Sequence, residues 1–141
     1  MLVKELFEKY CKKYDEGQYI CRGRIVKLVP ATEEKLDSFK ALCREYNVDQ
    51  HIMDELVEYY KQANKFFTHL CDDESLFEWW EDDEQKAIWL GNVDDDSFVY
   101  DDHLHKYAIG VAGGNEFGEY DTLMEMLEAY LKEGYENGWN G

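Results

Sequence analysis

Residues 86–114, KAIWLGNVDDDSFVYDDHLHKYAIGVAGG, contain the pattern that decides the fold of this chain. Three short runs rich in β-branched and aromatic residues are bounded by Gly, Asn and Asp clusters, which is typical of strands joined by turns. The runs are residues 87–90, 97–100 and 104–111, closed by Gly91-Asn92, Asp101-Asp102 and Gly113-Gly114-Asn115. This stretch therefore predicts three antiparallel strands at the centre of the fold.

Helical periodicity flanks the predicted strands on both sides. Apolar residues recur three and four apart in residues 2–14, 36–46, 52–63 and 123–131, which predicts four amphipathic helices. The first helix is expected to end at Asp15-Glu16-Gly17, and the last to extend over residues 120–134. Thr32 and Asp49 stand where the second and third helices need an N-cap.

The remaining segments complete the predicted architecture. Residues 18–29 form an extended pattern that we interpret as a hairpin bent near Gly23, and residues 75–80 (SLFEWW) predict a further strand. We therefore expect one α+β domain over residues 1–134, with helices packed against one face of a central, mainly antiparallel sheet. Residues 135–141 are expected to form a C-terminal tail.

Hydropathy and cysteine spacing limit the classes of protein to which this chain can belong. No apolar run approaches the ~20 residues that a membrane span needs, and residues 1–10 lack the uninterrupted apolar segment of a signal peptide. We therefore expect a cytoplasmic protein without membrane contact, whose four cysteines are reduced. Because Cys11, Cys21, Cys43 and Cys71 contain no C-x-x-C pair, their spacing predicts core packing rather than a zinc or redox site.

The net charge of −17 lies entirely in the second half of the chain. Residues 1–70 carry 12 Lys+Arg and 12 Asp+Glu, whereas residues 71–141 carry 3 Lys+Arg and 20 Asp+Glu. The electrostatic field of so much negative charge repels nucleic acid and anionic membranes and attracts cationic partners. An acid excess can also serve only to keep a small protein soluble, and composition leaves both interpretations open.

The sequence predicts no metal and no cofactor. The acidic run beginning at Asp94 fails the EF-hand pattern, because Val99 takes the glycine position and His105 the glutamate position. A non-standard cation site is the alternative for that run. His103 and His105 would share one side of a strand, but two exposed histidines are the commoner arrangement. Glycines 110, 113, 114 and 118 fit neither dinucleotide nor P-loop spacing.

The sequence also contains no candidate catalytic group. Ser38, Ser75 and Ser97 have no nucleophile-elbow context, and no cysteine has a neighbouring histidine. The carboxylates are numerous and lie in runs that look solvated, whereas general acid–base catalysis needs one of them desolvated. We therefore expect that the protein is not an enzyme.

Five segments carry a resemblance to a known family. Residues 32–36 and 56–64 are similar to an E-x-x-I/L … Y-x-x-F/Y-x-x-x-N-G opening, and residues 88–91 (IWLG) to an h-h-h-G strand. Residues 98–101 (FVYD) are similar to an h-h-h-D strand, and residues 123–131 to a closing helix. Together, residues 30–133 resemble the SUKH superfamily, which includes Smi/Knr-type fungal cell-wall regulators and bacterial immunity proteins. The resemblance implies an α+β fold and a protein that binds and neutralises a cognate toxin inside the cell.

Charge suggests how such a partner would be recognised. Toxins that act on nucleic acid present basic clefts to phosphates, and a carboxylate surface could occupy such a cleft. The candidate carboxylates are Asp82, Asp83, Glu84, Asp94, Asp95, Asp96, Asp101 and Asp102. The candidate aromatic anchors are Trp79, Trp80, Trp89 and Tyr100, of which at least two are expected in the core. The alternative is a regulatory adaptor that binds an endogenous cationic protein.

Overall fold

The structure is a computed structural model that describes residues 2–66, 69–70, 73–93, 95–110 and 116–141. Within these residues the chain has the predicted α+β architecture, with four α-helices and three antiparallel sheets. The helices are α1 (Val3–Tyr10), α2 (Glu33–Glu45), α3 (Gln50–Tyr60) and α4 (Leu123–Glu136). The strands are β1 (Lys12–Asp15), β2 (Gln18–Cys21), β3 (Arg24–Lys27), β4 (Lys65–Phe66), β5 (His69–Leu70), β6 (Ala87–Val93), β7 (Asp96–Asp101), β8 (Lys106–Gly110) and β9 (Glu116–Tyr120).

The four-stranded sheet, in the order β6-β7-β8-β9, confirms the predicted central sheet. Ile88, Tyr100 and Tyr107 lie opposite one another on neighbouring strands and are buried. Helices cover this face, because Tyr107 donates a hydrogen bond to Glu55 of α3 (2.8 Å) and Phe98 packs edge-on against Tyr130 of α4 (centroids 4.9 Å apart). Side chains alternate along a strand, so the intervening residues form the opposite face of the sheet.

Three boundaries in this region differ from the predicted ones. β6 continues through Gly91 to Val93, because its pairing with β7 resumes at Gly91 after a β-bulge between Trp89 and Gly91. β8 begins at Lys106, because residues 102–105 form a turn. The predicted turn at residues 113–115 lies outside the described residues.

A fourth strand, β9, occupies residues that the sequence assigned partly to the last helix. β9 pairs with β8 through Tyr120, so α4 begins at Leu123 rather than at residue 120. Thr122 accepts a hydrogen bond from the N–H of Glu125 (3.1 Å) and so caps the helix. The sequence predicted three strands in this sheet and missed β9, because β9 is short and rich in Glu and Gly.

The N-terminal region forms a three-stranded sheet, β1-β2-β3. The predicted first helix is too long, since α1 ends at Tyr10 and β1 follows it. The hairpin expected near Gly23 is confirmed, with Arg22 and Gly23 both at positive φ (52° and 76°) in the turn between β2 and β3. A two-residue turn with this geometry matches the twist of the strands that it joins.

The capped helical pair is confirmed, but residues 75–80 do not form a strand. Thr32 accepts from Lys35 N–H (3.3 Å) and Asp49 from His51 N–H (2.8 Å), as the sequence predicts. Residues Glu74–Phe77 form a 3-10 helix, followed by turns. Its buried residues, Leu76, Phe77 and Trp80, follow helical rather than alternating spacing.

Residues 135–141, expected as a tail, belong to the packed structure. α4 continues to Glu136, and the C-terminal segment (residues 137–141) folds back against α1 and the first hairpin. Asn140 is 4% exposed. Its carbonyl accepts from Lys12 N–H (3.0 Å), its Oδ1 accepts from Arg22 N–H (3.1 Å), and its Nδ2 donates to the carbonyls of Tyr10 (3.0 Å) and Leu131 (2.8 Å).

One hydrophobic core contains side chains from all four helices, from β2 and from β6, β7 and β8. Within the part of the chain that the structure describes, none of the helices has both the length and the apolar character needed to cross a membrane.

Candidate acidic binding surface

The predicted carboxylates do not form one cluster, because β7 separates them. Asp95 and Asp96 lie at the β6–β7 turn, whereas Asp101 and Asp102 lie at the β7–β8 turn. In an antiparallel sheet these turns lie at opposite ends of the shared strand, and the six residues of β7 span roughly 17 Å. Asp94 lies outside the described residues.

A loop from outside the sheet meets the second of these turns. The N–H of Asp102 donates to the carbonyl of Lys86 (2.9 Å), and Nε2 of His103 is hydrogen-bonded to the carbonyl of Asp83 (2.7 Å). Residues 81–86 are therefore fixed beside residues 101–105. We call the resulting surface the acidic end, which consists of Glu81, Asp82, Asp83, Glu84, Asp101 and Asp102.

Carboxylates that the sequence analysis did not select also lie near the acidic end. Burial is the main reason why the pKa of Tyr100 is raised to about 12. Asp102, which accepts a hydrogen bond from the Tyr100 hydroxyl (3.4 Å), and Asp49 raise the pKa further. Burial also raises the pKa of Tyr46, with contributions from Glu81, Glu45 and Glu74. The α2–α3 connection and the 3-10 helix therefore add carboxylates to this region. Only the tertiary fold brings them there.

Some of these carboxylates also stabilise the turns that present them. Asp82 Oδ1 accepts from the N–H of Glu84 (2.9 Å). Asp101 Oδ1 accepts from the N–H groups of His103 (2.8 Å) and Leu104 (3.3 Å). Such Asx turns fix the local backbone. The side chains of residues 81–84 are exposed, so their charges face solvent.

Two of the four candidate aromatic anchors lie in the core, which confirms the expectation of at least two. Trp80 and Tyr100 are buried, which makes them core residues rather than contact residues. Trp79 and Trp89 are half-buried, and their ring centroids are 6.0 Å apart. Leu104, which the sequence analysis did not select, is 47% exposed at the tip of the turn in the acidic end. Trp79 and Leu104 are therefore the apolar side chains available beside the carboxylates.

Asp96 belongs to a different part of the molecule. It accepts a hydrogen bond from the hydroxyl of Tyr130 (3.0 Å) and, with Arg22 and Trp139, lines a shallow cavity of about 430 Å³. The Arg22 guanidinium stacks on the Tyr130 ring (3.7 Å to the centroid) and lies 3.6 Å from Glu133. Asp96 therefore takes part in packing the C-terminal region and is not part of the acidic end.

The histidines lie in a turn rather than on a strand. His105 Nδ1 is 3.8 Å from Asp102 Oδ1, while His103 contacts Asp83. The prediction that both side chains lie on one side of a strand is therefore wrong. Among the described residues, no group of three or more His, Cys, Asp or Glu side chains is arranged to hold a metal ion.

Buried tyrosines make the stability of the fold depend on alkaline pH. Burial raises the pKa of Tyr100, Tyr107 and Tyr130, so the folded state keeps phenolic protons that the unfolded chain loses near pH 10. The free energy of unfolding should therefore be unaffected by these groups below about pH 10 and fall as the pH rises towards about 12. Phenolate absorbance and far-ultraviolet circular dichroism, followed together, should show these tyrosines ionising as the structure is lost. Complete ionisation near pH 10 with the helices intact would contradict this prediction.

Comparisons of the chain with protein-family models, curated proteins and solved structures found no match. We therefore infer the function from the geometry of the acidic end.

Proposed function

We propose that this protein is a non-catalytic binding module that uses the acidic end to occupy a basic surface of a protein partner. The observation that carries the proposal is the fixed junction between residues 81–86 and 101–105, which gathers six carboxylates from two separate segments. The one lysine in these segments, Lys86, lies over the Trp80 ring, with Nζ 4.8 Å from its centroid. A rigid surface of one sign attracts a cationic surface and repels phosphates.

The proposed partner is a cognate toxin that acts on nucleic acid. Such a toxin must carry a cationic cleft for phosphates, and carboxylates on a rigid surface can occupy that cleft in their place. The resemblance of residues 30–133 to the SUKH superfamily supports a toxin as the partner, and the charge of the acidic end supports one that acts on nucleic acid. In this proposal the chain neutralises the toxin by blocking its cleft, and it does so without catalysis in the cytoplasm.

Charge alone gives fast association but little selectivity, so the interface also needs desolvated contacts. Trp79 lies two residues before the loop, and its carbonyl accepts from the N–H of Asp82 (3.3 Å), which holds it beside the loop. Leu104 lies at the facing turn and is exposed. We propose these two side chains as the apolar contacts that slow dissociation.

The test compares two variants with the same change in net charge. The first replaces carboxylates of the acidic end (Asp82→Asn, Asp83→Asn, Glu84→Gln), and the control replaces exposed carboxylates of α2 and α3 (Glu33→Gln, Asp37→Asn, Glu58→Gln). Asn at position 82 keeps the oxygen that accepts from Glu84, so the turn is retained. The partner is the toxin encoded beside the gene for this chain, prepared in a catalytically inactive form.

We expect the first variant to associate about tenfold more slowly at low salt and to lose most of the salt dependence of its association rate. The association rate of the control variant should stay close to that of the unmodified chain, because the substituted charges are remote from the interface. Stopped-flow measurements at several ionic strengths give the association rate of each variant and the salt dependence of that rate. Salt-independent association of the unmodified chain, or equal slowing in both variants, would show that the acidic end is only a solubilising surface. Association with an endogenous basic protein but not with the toxin would favour the adaptor function.

A further inference from the structure

The shallow cavity beside Asp96 brings a cation, an anion and an exposed aromatic ring together. Its volume of about 430 Å³ lies within the range of roughly 300–1,000 Å³ that small-molecule sites occupy. The β2–β3 turn, the β6–β7 turn and the C-terminal region meet there, and the lining residues are Arg22, Gly23, Asp96, Tyr130 and Trp139. None of these residues belongs to the acidic end, so the cavity is separate from the surface that the proposed function uses.

Two opposite charges flank the Tyr130 ring. The Arg22 guanidinium lies over the face of the ring, with Cζ 3.7 Å from the centroid. The Asp96 carboxylate lies at the edge of the ring, where it accepts a hydrogen bond from the hydroxyl (3.0 Å). Tyr130 is fully buried, so its ring holds the two charges at a fixed separation.

Both charged groups keep hydrogen-bonding capacity for a ligand. Nη2 of Arg22 donates to the carbonyl of Tyr130 (3.0 Å) and lies 3.6 Å from Glu133, whereas Nη1 donates to no residue that the structure describes. A carboxylate accepts up to about four hydrogen bonds, and the Tyr130 hydroxyl uses one of those sites on Asp96. A ligand can therefore bond to both groups without displacing the contacts that hold them.

Trp139 adds an aromatic wall that is open on one side. It is 47% exposed, and Cζ of Arg22 lies 5.0 Å from the centroid of its ring. Its backbone is fixed, since its carbonyl accepts from the N–H of Gly23 (3.2 Å) and its N–H donates to the carbonyl of Gly134 (2.8 Å). The space beside the turn is open, because a Cβ at Gly23 would meet no atom within 4 Å. A flat apolar group can therefore pack on the exposed side of the indole.

The ligand that suits all three groups carries both charges and a ring. A chain of net charge −17 repels an anion, and the guanidinium in the cavity wall repels a simple cation. A zwitterion has no net charge, and each of its ends can form a charge-assisted hydrogen bond with the wall group of opposite sign. In an α-amino acid the ammonium and carboxylate groups stand on one carbon, which suits wall charges that are about one ring apart.

We propose that this cavity binds a free α-amino acid with an aromatic side chain. The ammonium group donates to Asp96, the carboxylate accepts from Nη1 of Arg22, and the side chain packs on the exposed side of Trp139. Because the cavity is shallow and the ligand has few atoms, half-saturation is expected on the order of 1 mM. This binding does not depend on a toxin, so its test is independent of the test of the proposed function.

The test titrates L-phenylalanine into the isotope-labelled full chain and follows the amide and indole resonances by nuclear magnetic resonance. We expect saturable shifts of the Trp139 indole N–H and of the Gly23 amide. Phenylalanine amide lacks the carboxylate and N-acetylphenylalanine lacks the ammonium group, so each should bind at least about tenfold more weakly. L-Alanine lacks the ring and should also bind more weakly.

Two variants with the same change in charge locate the site. Asp96→Asn keeps an oxygen that accepts from the Tyr130 hydroxyl but removes the charge, and it should weaken binding about tenfold. Asp95→Asn is the matched control, because Asp95 is exposed and does not line the cavity, and it should bind as the unmodified chain does. Trp139→Ala keeps the backbone hydrogen bonds and should abolish the preference for phenylalanine over alanine.

Three results would overturn the proposal. The first is the absence of a saturable shift at Trp139 and Gly23 up to about 10 mM phenylalanine, tenfold above the expected midpoint. The second is equal binding of phenylalanine and its two singly charged derivatives. The third is equal weakening in Asp96→Asn and Asp95→Asn. The first two results use the unmodified chain, so they decide the question even where a variant fails to fold.

Discussion

Replacing Trp80 with alanine is expected to lower the free energy of unfolding by about 4 kcal/mol. Trp80 is 4% exposed, so the substitution removes a large buried ring and leaves a cavity. Its indole Nε1 also donates to the carbonyl of Tyr46 (2.6 Å), the C-cap residue that follows α2. Without the indole, that carbonyl loses its donor, which adds to the cost of the cavity.

The adjacent tryptophan provides a matched control. Trp79 is half-buried and packs beside Trp89, so Trp79→Ala should cost only about 1–2 kcal/mol. Urea unfolding followed by circular dichroism measures both values, and an unchanged m-value shows that the comparison is between similar transitions. Equal losses for the two variants would contradict the placement of Trp80 in the core. In the proposed complex, Trp79→Ala should instead speed dissociation from the partner.

The contacts of Trp80 also explain why the acidic end can be rigid. The indole attaches the start of the 81–86 loop to the end of α2, and the same loop is hydrogen-bonded to the β7–β8 turn through Lys86 and Asp83. Two independent attachments hold the loop while its carboxylates repel one another. A surface held in this way does not need to be ordered when the partner binds, which reduces the entropic cost of association.

The central sheet could be predicted from sequence because its signal is local. Runs such as 97–100 combine alternating burial with β-branched and aromatic residues, and Asp clusters mark the turns. The helix caps at Thr32 and Asp49 were predictable for the same reason, since each needs only residues within one helical turn. The errors lie where partners distant in sequence decide the structure. β1 replaces the end of the predicted helix because its residues pair with β2 and the C-terminal segment.

The candidate site was predictable in composition but not in arrangement. The sequence identified the carboxylates, yet an antiparallel β7 places Asp95 and Asp96 at the end opposite Asp101 and Asp102. The pairing of loop 81–86 with the second turn depends on tertiary hydrogen bonds, which have no sequence pattern.

Replacing Asn140 with alanine is expected to destabilise the protein by about 3 kcal/mol. The substitution leaves the N–H of Arg22 and the carbonyls of Tyr10 and Leu131 without their partner in a buried site. Each unsatisfied buried group costs about 1–3 kcal/mol, and water entering at the chain end reduces the sum. Asn137→Ala is the matched control, because Asn137 is exposed and its side chain bonds only within α4, to the carbonyl of Glu133 (2.9 Å). That change should cost below about 1 kcal/mol.

A second variant tests the same packing from the other side. Gly134 lies within α4, where replacing glycine with alanine ordinarily stabilises a helix by about 1 kcal/mol. Here a Cβ at position 134 would lie 2.9 Å from Cγ of Asn140, which its hydrogen bonds hold in place. The expected sign is therefore reversed, and Gly134→Ala should destabilise the unmodified chain. In the Asn140→Ala background the obstacle is gone, so the same change should become neutral or stabilising. If Gly134→Ala stabilises both backgrounds in urea unfolding, the C-terminal segment does not pack against α4 as the structure shows.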